Sequence, residues 1–306
     1  MALHRLASIT IGVPNVEETS RYYAEFGLAR DGATFSTTDG GKQLCIVKSP
    51  TRRLIELCVG ADDFDDLDRV AERLTALGVP VERDAASLRA IEVHSAARAV
   101  VKILLRVPQL STAIAPSNGT GRADRENDRA PGILREGPIR PRKLGHVVIG
   151  TPEPEASRRF FVDGIGFKVS DEVRGVAAFL RCSSDHHNLL LQSSPVAFLH
   201  HTSWQVDDVD EVGRGAMRML EGHPERHTWG LGRHFIGSNF FWYLRDPAGN
   251  FSEYYSDMDT ITDDQLWKPG TWEPSLQALY AWGPNVPPSM LTPDDLADLM
   301  AASHQN

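Results

Sequence analysis

The chain has 306 residues, 41% of them hydrophobic and 24% charged, with a formal net charge of −9 at pH 7. This composition excludes wholesale disorder and fibrous architectures, and the length is ample for two domains. The acidic balance argues against a nucleic-acid or anionic-membrane surface. No apolar run approaches the roughly 18 residues needed to span a bilayer. The opening Met-Ala-Leu-His-Arg-Leu-Ala-Ser lacks the long apolar core of a signal peptide. Cys45, Cys58 and Cys182 are far apart with no CxxC, so neither a disulfide framework nor a thiolate zinc site is expected. A cytoplasmic protein with small-molecule partners is the resulting expectation.

In chain order, Leu6-Ala-Ser8-Ile-Thr-Ile-Gly12-Val-Pro14 reads as a strand entering a Pro-punctuated turn. An acidic amphipathic helix carrying Tyr22-Tyr23 follows and stops at Phe26-Gly27-Leu28. Arg53 to Val59 is a strand, and Asp63 to Leu77 has helical spacing ending at Gly78. The carboxylates of Asp62-Asp63-Phe-Asp-Asp66 have a metal-like composition but read as the capped start of that helix. Ser111 to Arg142 is rich in Ser, Gly, Pro, Asp and Arg, and reads as a partly disordered linker.

The opening pattern then returns 138 residues on, as Leu144-Gly-His146-Val-Val-Ile-Gly150-Thr-Pro152, with Phe160-Phe161 and a stop at Ile165-Gly166-Phe167. Strands are expected at Ala177 to Cys182, Asn188 to Gln192, His201 to Val206 and Phe240 to Leu244, and a helix from Val209 to Leu220. Beyond Asp257, Trp267, Trp272, Tyr280 and Trp282 lie among prolines and suggest a tail packed back on the second half. The reading is an α+β protein of four strand–helix–strands units. A first domain covers 1–110, a linker 111–142, a second domain 143–258 and a tail 259–306.

The chemistry concentrates in the second half. Of eleven histidines, eight (146, 186, 187, 200, 201, 223, 227 and 234) fall there, while His4 and His94 lie in the first half and His304 at the end. A lone histidine is more often a core or solvated residue than a ligand, so the contrast between repeats carries the weight. Ser8 stands where the repeat has His146, and aligning Ser95–Lys102 with Asp246–Glu253 sets Lys102 against Glu253. His146, His201 and Glu253 each sit on a different expected strand. They supply the two imidazoles and one carboxylate of a facial triad that suits non-haem Fe(II), although zinc accepts the same set. By strand alternation His200 should face away from His201 and be structural. His223 and His227, near Pro224, should be solvent-exposed.

These residues resemble the catalytic half of the type I extradiol ring-cleaving (catechol 2,3-) dioxygenases of the vicinal oxygen chelate, or glyoxalase, superfamily. The matching pieces are Leu144-Gly-His146, Asp185-His-His187-Asn-Leu, Leu199-His-His201, Gly232-Arg-His234, Tyr243 and Asp246-Pro-x-Gly-Asn-x-x-Glu253. Fourteen residues separate His187 from His201, nine separate His234 from Tyr243, and ten more lead to Glu253. The resemblance implies four βαβββ modules paired into two curved mixed-sheet half-barrel domains, with metal only in the second. The long polar linker is a departure that the resemblance does not explain.

The resemblance further implies that His146, His201 and Glu253 ligate Fe(II), or Mn(II), and that His187 is the acid–base residue. It makes His234 and Tyr243 the hydrogen-bonding partners of a catechol that is opened beside its diol by O2. Asn239, Trp204, Trp229 and Trp242 are weaker candidates for substrate contacts. Arg233 and Arg245 would meet a carboxylate on the substrate if they face the site, and an aromatic pocket would favour a hydrophobic catechol instead. A homo-oligomer is expected from the same resemblance. The competing readings are a glyoxalase- or isomerase-like metal enzyme without oxygen chemistry, and a metal-free binding protein on the same scaffold.

Overall fold

The strands build two open mixed sheets, whose central strands in the second half are buried on both faces. The computed structural model describes residues 3–108, 110–113 and 115–303, so His304 lies outside the described residues. In the first half, β1 (Leu3–Val13), α1 (Val16–Glu25), β2 (Ala29–Asp31), β3 (Thr34–Thr37) and β4 (Gly41–Lys48) form one βαβββ unit. A second unit comprises β5 (Arg53–Ala61), α2 (Phe64–Ala76), β6 (Glu82–Arg83), β7 (Ser87–Glu92) and β8 (Ala97–Ile103). The sheet runs β2-β3-β4-β1-β5-β8-β7-β6. Each unit closes with a parallel pair, β1 with β4 and β5 with β8, and the units join through antiparallel β1 and β5.

The expected linker is more structured than its composition suggests. It holds a short hairpin of β9 (Asn118–Gly119) and β10 (Arg122–Ala123), and one helical turn, α3 (Pro131–Leu134). Arg135 forks onto Asp208 at 2.9 and 2.5 Å, and Arg142 onto Asp207 at 2.5 and 3.1 Å. Buried Ile139 packs in the main core, and the Arg142 carbonyl accepts the N–H of Asp39 and Gly40. Arg135 and Arg142 anchor this segment, because each finds a planar carboxylate partner.

The second half repeats the plan. Its first unit is β11 (Lys143–Thr151), α4 (Pro154–Arg159) running into a π-helical turn at Phe160–Ile165, β12 (Lys168–Val173), β13 (Ala177–Arg181) and β14 (Leu189–Ser193). The second is β15 (Phe198–Gln205), α5 (Val209–Leu220), β16 (His227–Arg233), β17 (Phe240–Arg245) and β18 (Phe251–Ser256). The tail adds β19 (Gly270–Trp272) parallel to β12, then α6 (Leu276–Leu279), α7 (Pro288–Leu291) and α8 (Leu296–Ser303). This sheet runs β16-β17-β18-β15-β11-β14-β13-β12-β19. No helix among the described residues is long and apolar enough to cross a membrane.

Helix ends follow local chemistry. Asp63 caps α2 by accepting the Asp66 N–H at 2.9 Å, which accounts for the acidic run. After α1, Gly27 adopts φ +105, and a Cβ there would stand 2.2 Å from the Ile139 carbonyl oxygen, so two constraints select glycine.

The halves share one core. Phe26 stacks on Tyr254 at 3.8 Å between ring centroids, and the Tyr254 hydroxyl donates to the Phe26 carbonyl at 2.6 Å. Tyr22 and Tyr23 on α1 reach Ser252 on β18 and Thr202 on β15 at 2.5 and 3.2 Å. Arg73 on α2 donates to the Gly164 and Ile165 carbonyls of the π-helical turn. Helices of the first half therefore pack on the helix-covered face of the second sheet and leave its other face free. Phe26→Ala should cost about 3–5 kcal/mol from lost burial and cavity formation. Urea denaturation followed by far-UV circular dichroism, which reports on both halves, should show one cooperative transition at a lower midpoint, and two separated transitions would contradict the shared core.

Candidate metal centre and active site

Strand alternation separates two jobs on β15 and β18. Thr202 and Trp204, with Ser252 and Tyr254, face α1, while His201 and Glu253 point to the opposite face. On β11 a register shift between Leu144 and His146 brings His146 beside them. This shift needs Gly145, because a Cβ there would meet the Tyr255 hydroxyl at 2.0 Å.

The three side chains converge. His146 Nε2 lies 3.1 Å from Glu253 Oε2 and 3.3 Å from His201 Nε2, and His201 Nε2 lies 3.7 Å from Glu253 Oε2. Three atoms about 2.1 Å from a shared divalent cation would stand about 3.0–3.4 Å apart for angles between octahedral and tetrahedral, a range that holds two of the three separations, with His201–Glu253 longer. All three residues are buried, and Glu253 Oε2 has no hydrogen-bond donor among the described residues. A buried carboxylate oxygen in that state is costly unless a cation compensates it. Glu253 Oε1 is held by the Asn239 side-chain amide at 3.1 Å. The donor set therefore fits a divalent metal.

His200 reports a correction. Between β11 and β15 the pairing jumps from Val148–His201 to Ile149–Leu199, so His200 is the extra residue of a β-bulge. The bulge breaks simple alternation, and His200 turns toward the cavity beside His201 instead of away from it. Its Nε2 donates to the Met290 carbonyl at 2.9 Å, leaving Nδ1 to accept from His201 Nδ1, 2.7 Å away. His201 thereby keeps the lone pair on Nε2, the atom that faces His146 and Glu253.

A cavity of about 380 Å³ opens above the triad. His187, His234 and Tyr243 line it together with His146 and His201. His234 donates from Nδ1 to the Leu279 carbonyl at 2.6 Å, so its Nε2 accepts the Tyr243 hydroxyl at 2.9 Å. The remaining wall is mostly apolar, with Gln192 and Ser275 as its polar members: Val148, Phe179, Leu190, Trp229 and Ile236 on one side, and Leu276, Leu279, Val286 and Met290 from the tail. No Lys, Arg, Asp or Glu is among the lining residues. Arg233 pairs with Asp257 and Arg245 with Asp294, each at 2.7 Å, so neither arginine serves the cavity.

Other expected contacts separate. Trp229 lines the cavity and stacks near Tyr243 at 5.8 Å. Trp204 does not, because its place on β15 turns it to the α1 face, where it meets Tyr23 at 6.2 Å. Trp242 is half-buried outside the cavity and donates to His227 Nδ1 at 3.1 Å. Asn239 touches Glu253 instead of the cavity. His223 and His227 are exposed. Sequence reasoning missed the tail carbonyls at Leu279 and Met290 and the buried Asp171–His186 pair, whose partners are distant in the chain.

The repeat alignment also shifts. His146 pairs with Ser203, and Ser203 with Glu253, whereas Ser8 pairs with Cys58, and Cys58 with Val100. Glu253 therefore corresponds to Val100, with Lys102 two residues further along the same strand face. His201 corresponds to Glu56, which lies 3.6 Å from Arg98. The first half thus offers Ser8, Glu56 and Val100 where the second offers two imidazoles and a carboxylate.

Residues 143–254 match the glyoxalase/bleomycin resistance protein/dioxygenase superfamily, and they form a domain of it. Metapyrocatechase 2 of Cupriavidus necator is 41% identical over 168 residues, which are 52% of this chain and 52% of that protein. A manganese-dependent 2,3-dihydroxybiphenyl 1,2-dioxygenase of Geobacillus genomosp. 3 is 30% identical over 161 residues, 49% and 51% of the two chains. The chain thus spans about half the length of the curated relatives it matches. Among solved structures, the Mn(II)-bound glyoxalase from Novosphingobium aromaticivorans shares the fold at TM-score 0.74 and 24% identity, covering 94% of each chain. The halotolerant catechol dioxygenase BphC does so at TM-score 0.74 and 21% identity, covering 94% of this chain and 98% of its own.

Burial lowers the pKa of His187, His201 and His234, and that of His200 to about 4. Each stays neutral in the folded chain below pH 6.5 while its unfolded counterpart takes up a proton. Their stabilisation is therefore complete above about pH 6.5 and is lost as pH falls toward the folded values, by about 1.4 kcal/mol per pH unit for each. Buried Asp246, raised to about 6, acts in the opposite sense, favouring the folded chain as pH falls from about 6 to 4. Four imidazoles oppose one carboxyl, so the metal-free protein should be less stable at pH 5 than at pH 7. Urea midpoints at the two pH values check this.

Proposed function

We propose that the chain is an extradiol ring-cleaving dioxygenase that opens an apolar, substituted catechol beside its diol, adding both atoms of O2 to give a hydroxymuconic-semialdehyde-type product. The observation that carries this reading is the convergence of His146, His201 and Glu253 beneath an apolar cavity that also holds His187, His234 and Tyr243. The names of the relatives support it, and both iron- and manganese-dependent enzymes occur among them. Fe(II) is the metal proposed here.

A divalent metal held by His146, His201 and Glu253 would supply a common attachment point for the catechol oxygens and O2. The protein's own groups do the rest. Tyr243 and His234 form a hydrogen-bonded pair at the cavity wall, placed to bind a catechol oxygen and share its proton. His187, which also lines the cavity with its ring 4.2 Å from that of His146, is placed to move a proton at the reacting oxygens. Trp229, Phe179 and the tail residues exclude water and hold the ring substituent.

Absence of any cation from the lining argues against a carboxylate on the substrate, whose burial would go uncompensated. Alkyl- or aryl-substituted catechols should therefore exceed carboxylated catechols in kcat/KM by about 100-fold or more, as read by O2 uptake and the yellow ring-fission product. Equal or reversed preference would contradict the apolar assignment.

Glu253→Ala should abolish metal binding. His187→Ala should retain metal and lose about 10²–10⁴-fold in kcat, the usual worth of a proton-transfer group. Metal analysis beside turnover separates the two. A wild-type protein that binds iron tightly but consumes no O2 with any catechol would favour non-oxidative metal chemistry.

A further inference from the structure

Behind the cavity lies a buried chain of three groups in which only the innermost lines the pocket. His186, in the loop before β14, is fully buried, with Nε2 3.1 Å from Asp171 Oδ2 and Nδ1 3.1 Å from His187 Nδ1. Asp171, on β12, uses its other oxygen to accept the Gly270 N–H of β19 at 2.5 Å. Trp267 meets the His186 ring edge-on at 5.4 Å and donates to the Ser170 carbonyl at 2.8 Å, closing the chain off from solvent. Phe179 packs edge-on against both imidazoles, at 5.9 and 5.2 Å.

The carboxylate end sets the order of donors in this chain. A carboxylate accepts only, so the hydrogen between Asp171 and His186 sits on His186 Nε2. A His186 that carries only this hydrogen accepts at Nδ1, and the hydrogen between the two rings then belongs to His187 Nδ1. His187 Nε2 is left as a lone pair, with no protein partner among the described residues.

We propose that Asp171 and His186 are positioning residues that lock His187 in its Nδ1–H tautomer, so that Nε2 meets the substrate as a hydrogen-bond acceptor for a hydroxyl group. The proposal rests on the reading of this cavity as a catechol site. Asp171 touches neither cavity nor metal ligand, so its effect on turnover runs through His187. Because β19 supplies the Gly270 N–H that orients the carboxylate, the tail takes part in setting this tautomer.

Asp171→Asn is the discriminating change. Its amide oxygen can keep the Gly270 N–H, which turns the NH2 onto His186 Nε2 and reverses the chain: His186 becomes Nδ1–H and His187 becomes Nε2–H. The probe is long-range 1H–15N correlation of histidine-labelled, zinc-loaded protein, with His187→Gln to assign the ring. In the wild type, His187 should show a pyrrole-type Nδ1 and a pyridine-type Nε2, and in Asp171→Asn the two should exchange. With Fe(II), Asp171→Asn should bind metal at unchanged stoichiometry and lose about 10²-fold in kcat, with KM little altered.

A wild-type His187 protonated at Nε2, or an unchanged tautomer in a folded Asp171→Asn, would overturn the proposal. Should the variant not fold, the wild-type spectrum alone decides. Failure to turn over any catechol alongside the Nδ1–H tautomer would sink the catechol reading and leave the lock standing. Normal turnover with His187 as Nε2–H would do the reverse.

Discussion

A carboxylate buried without a hydrogen-bond donor on one oxygen is the constraint around which the second half is organised. Glu253 is inaccessible to solvent, and its Oε2 faces the Nε2 atoms of His146 and His201 at 3.1 and 3.7 Å with no hydrogen-bond donor among the described residues. Such a group is tolerable when a cation completes it. The surrounding bonds serve the same end: the Asn239 amide holds Oε1, and the Met290 carbonyl acts through His200 to direct the His201 lone pair inward. The site is thus a set of oriented acceptors built before any metal arrives.

The period of the β-strand couples that site to the fold. On β15 and β18, residues of one parity anchor the helix of the other half, through Tyr22–Ser252, Tyr23–Thr202 and Phe26 on Tyr254. Residues of the other parity, His201 and Glu253, face the cavity. A slip of one residue would exchange the two sets and destroy both the interface and the donor cluster. The register that buries the inter-half aromatics therefore also assembles the site. This links the sequence pattern of the strands to packing, and packing to function.

The two halves show how one scaffold carries different loads. The bulge that brings His200 inward recurs at Ile55, where β1 pairs from Thr10–Glu56 to Ile11–Leu54. Backbone geometry is shared, yet Ser8, Glu56 and Val100 occupy the three ligand stations, and Ala7, Cys58 and Val100 form a small apolar cluster there. The second half diverges further through its tail, whose carbonyls bond site histidines and whose side chains complete the cavity wall.

The sequence by itself determined the repeated units, the helix stops at Gly27 and Gly166, the Asp63 cap, and the donor types at His146, His201 and Glu253. These are written in local periodicity, turn chemistry and spacing, which one strand or helix enforces alone. Only the tertiary structure decided the rest. Whether His200 faces in or out depended on a bulge in its partner strand, and the counterpart of Glu253 on cross-strand register. That Arg233 and Arg245 serve Asp257 and Asp294, that Trp204 belongs to the inter-half core, and that the linker arginines anchor on Asp207 and Asp208 each required knowing a neighbour distant in sequence. Asp171 could not be connected with His187 from spacing, because the link runs through His186, whose ring reaches β12 from the loop before β14 only in the assembled sheet. Side-chain direction and hydrogen-bond order are properties of assembled strands, and those assembled the chemistry.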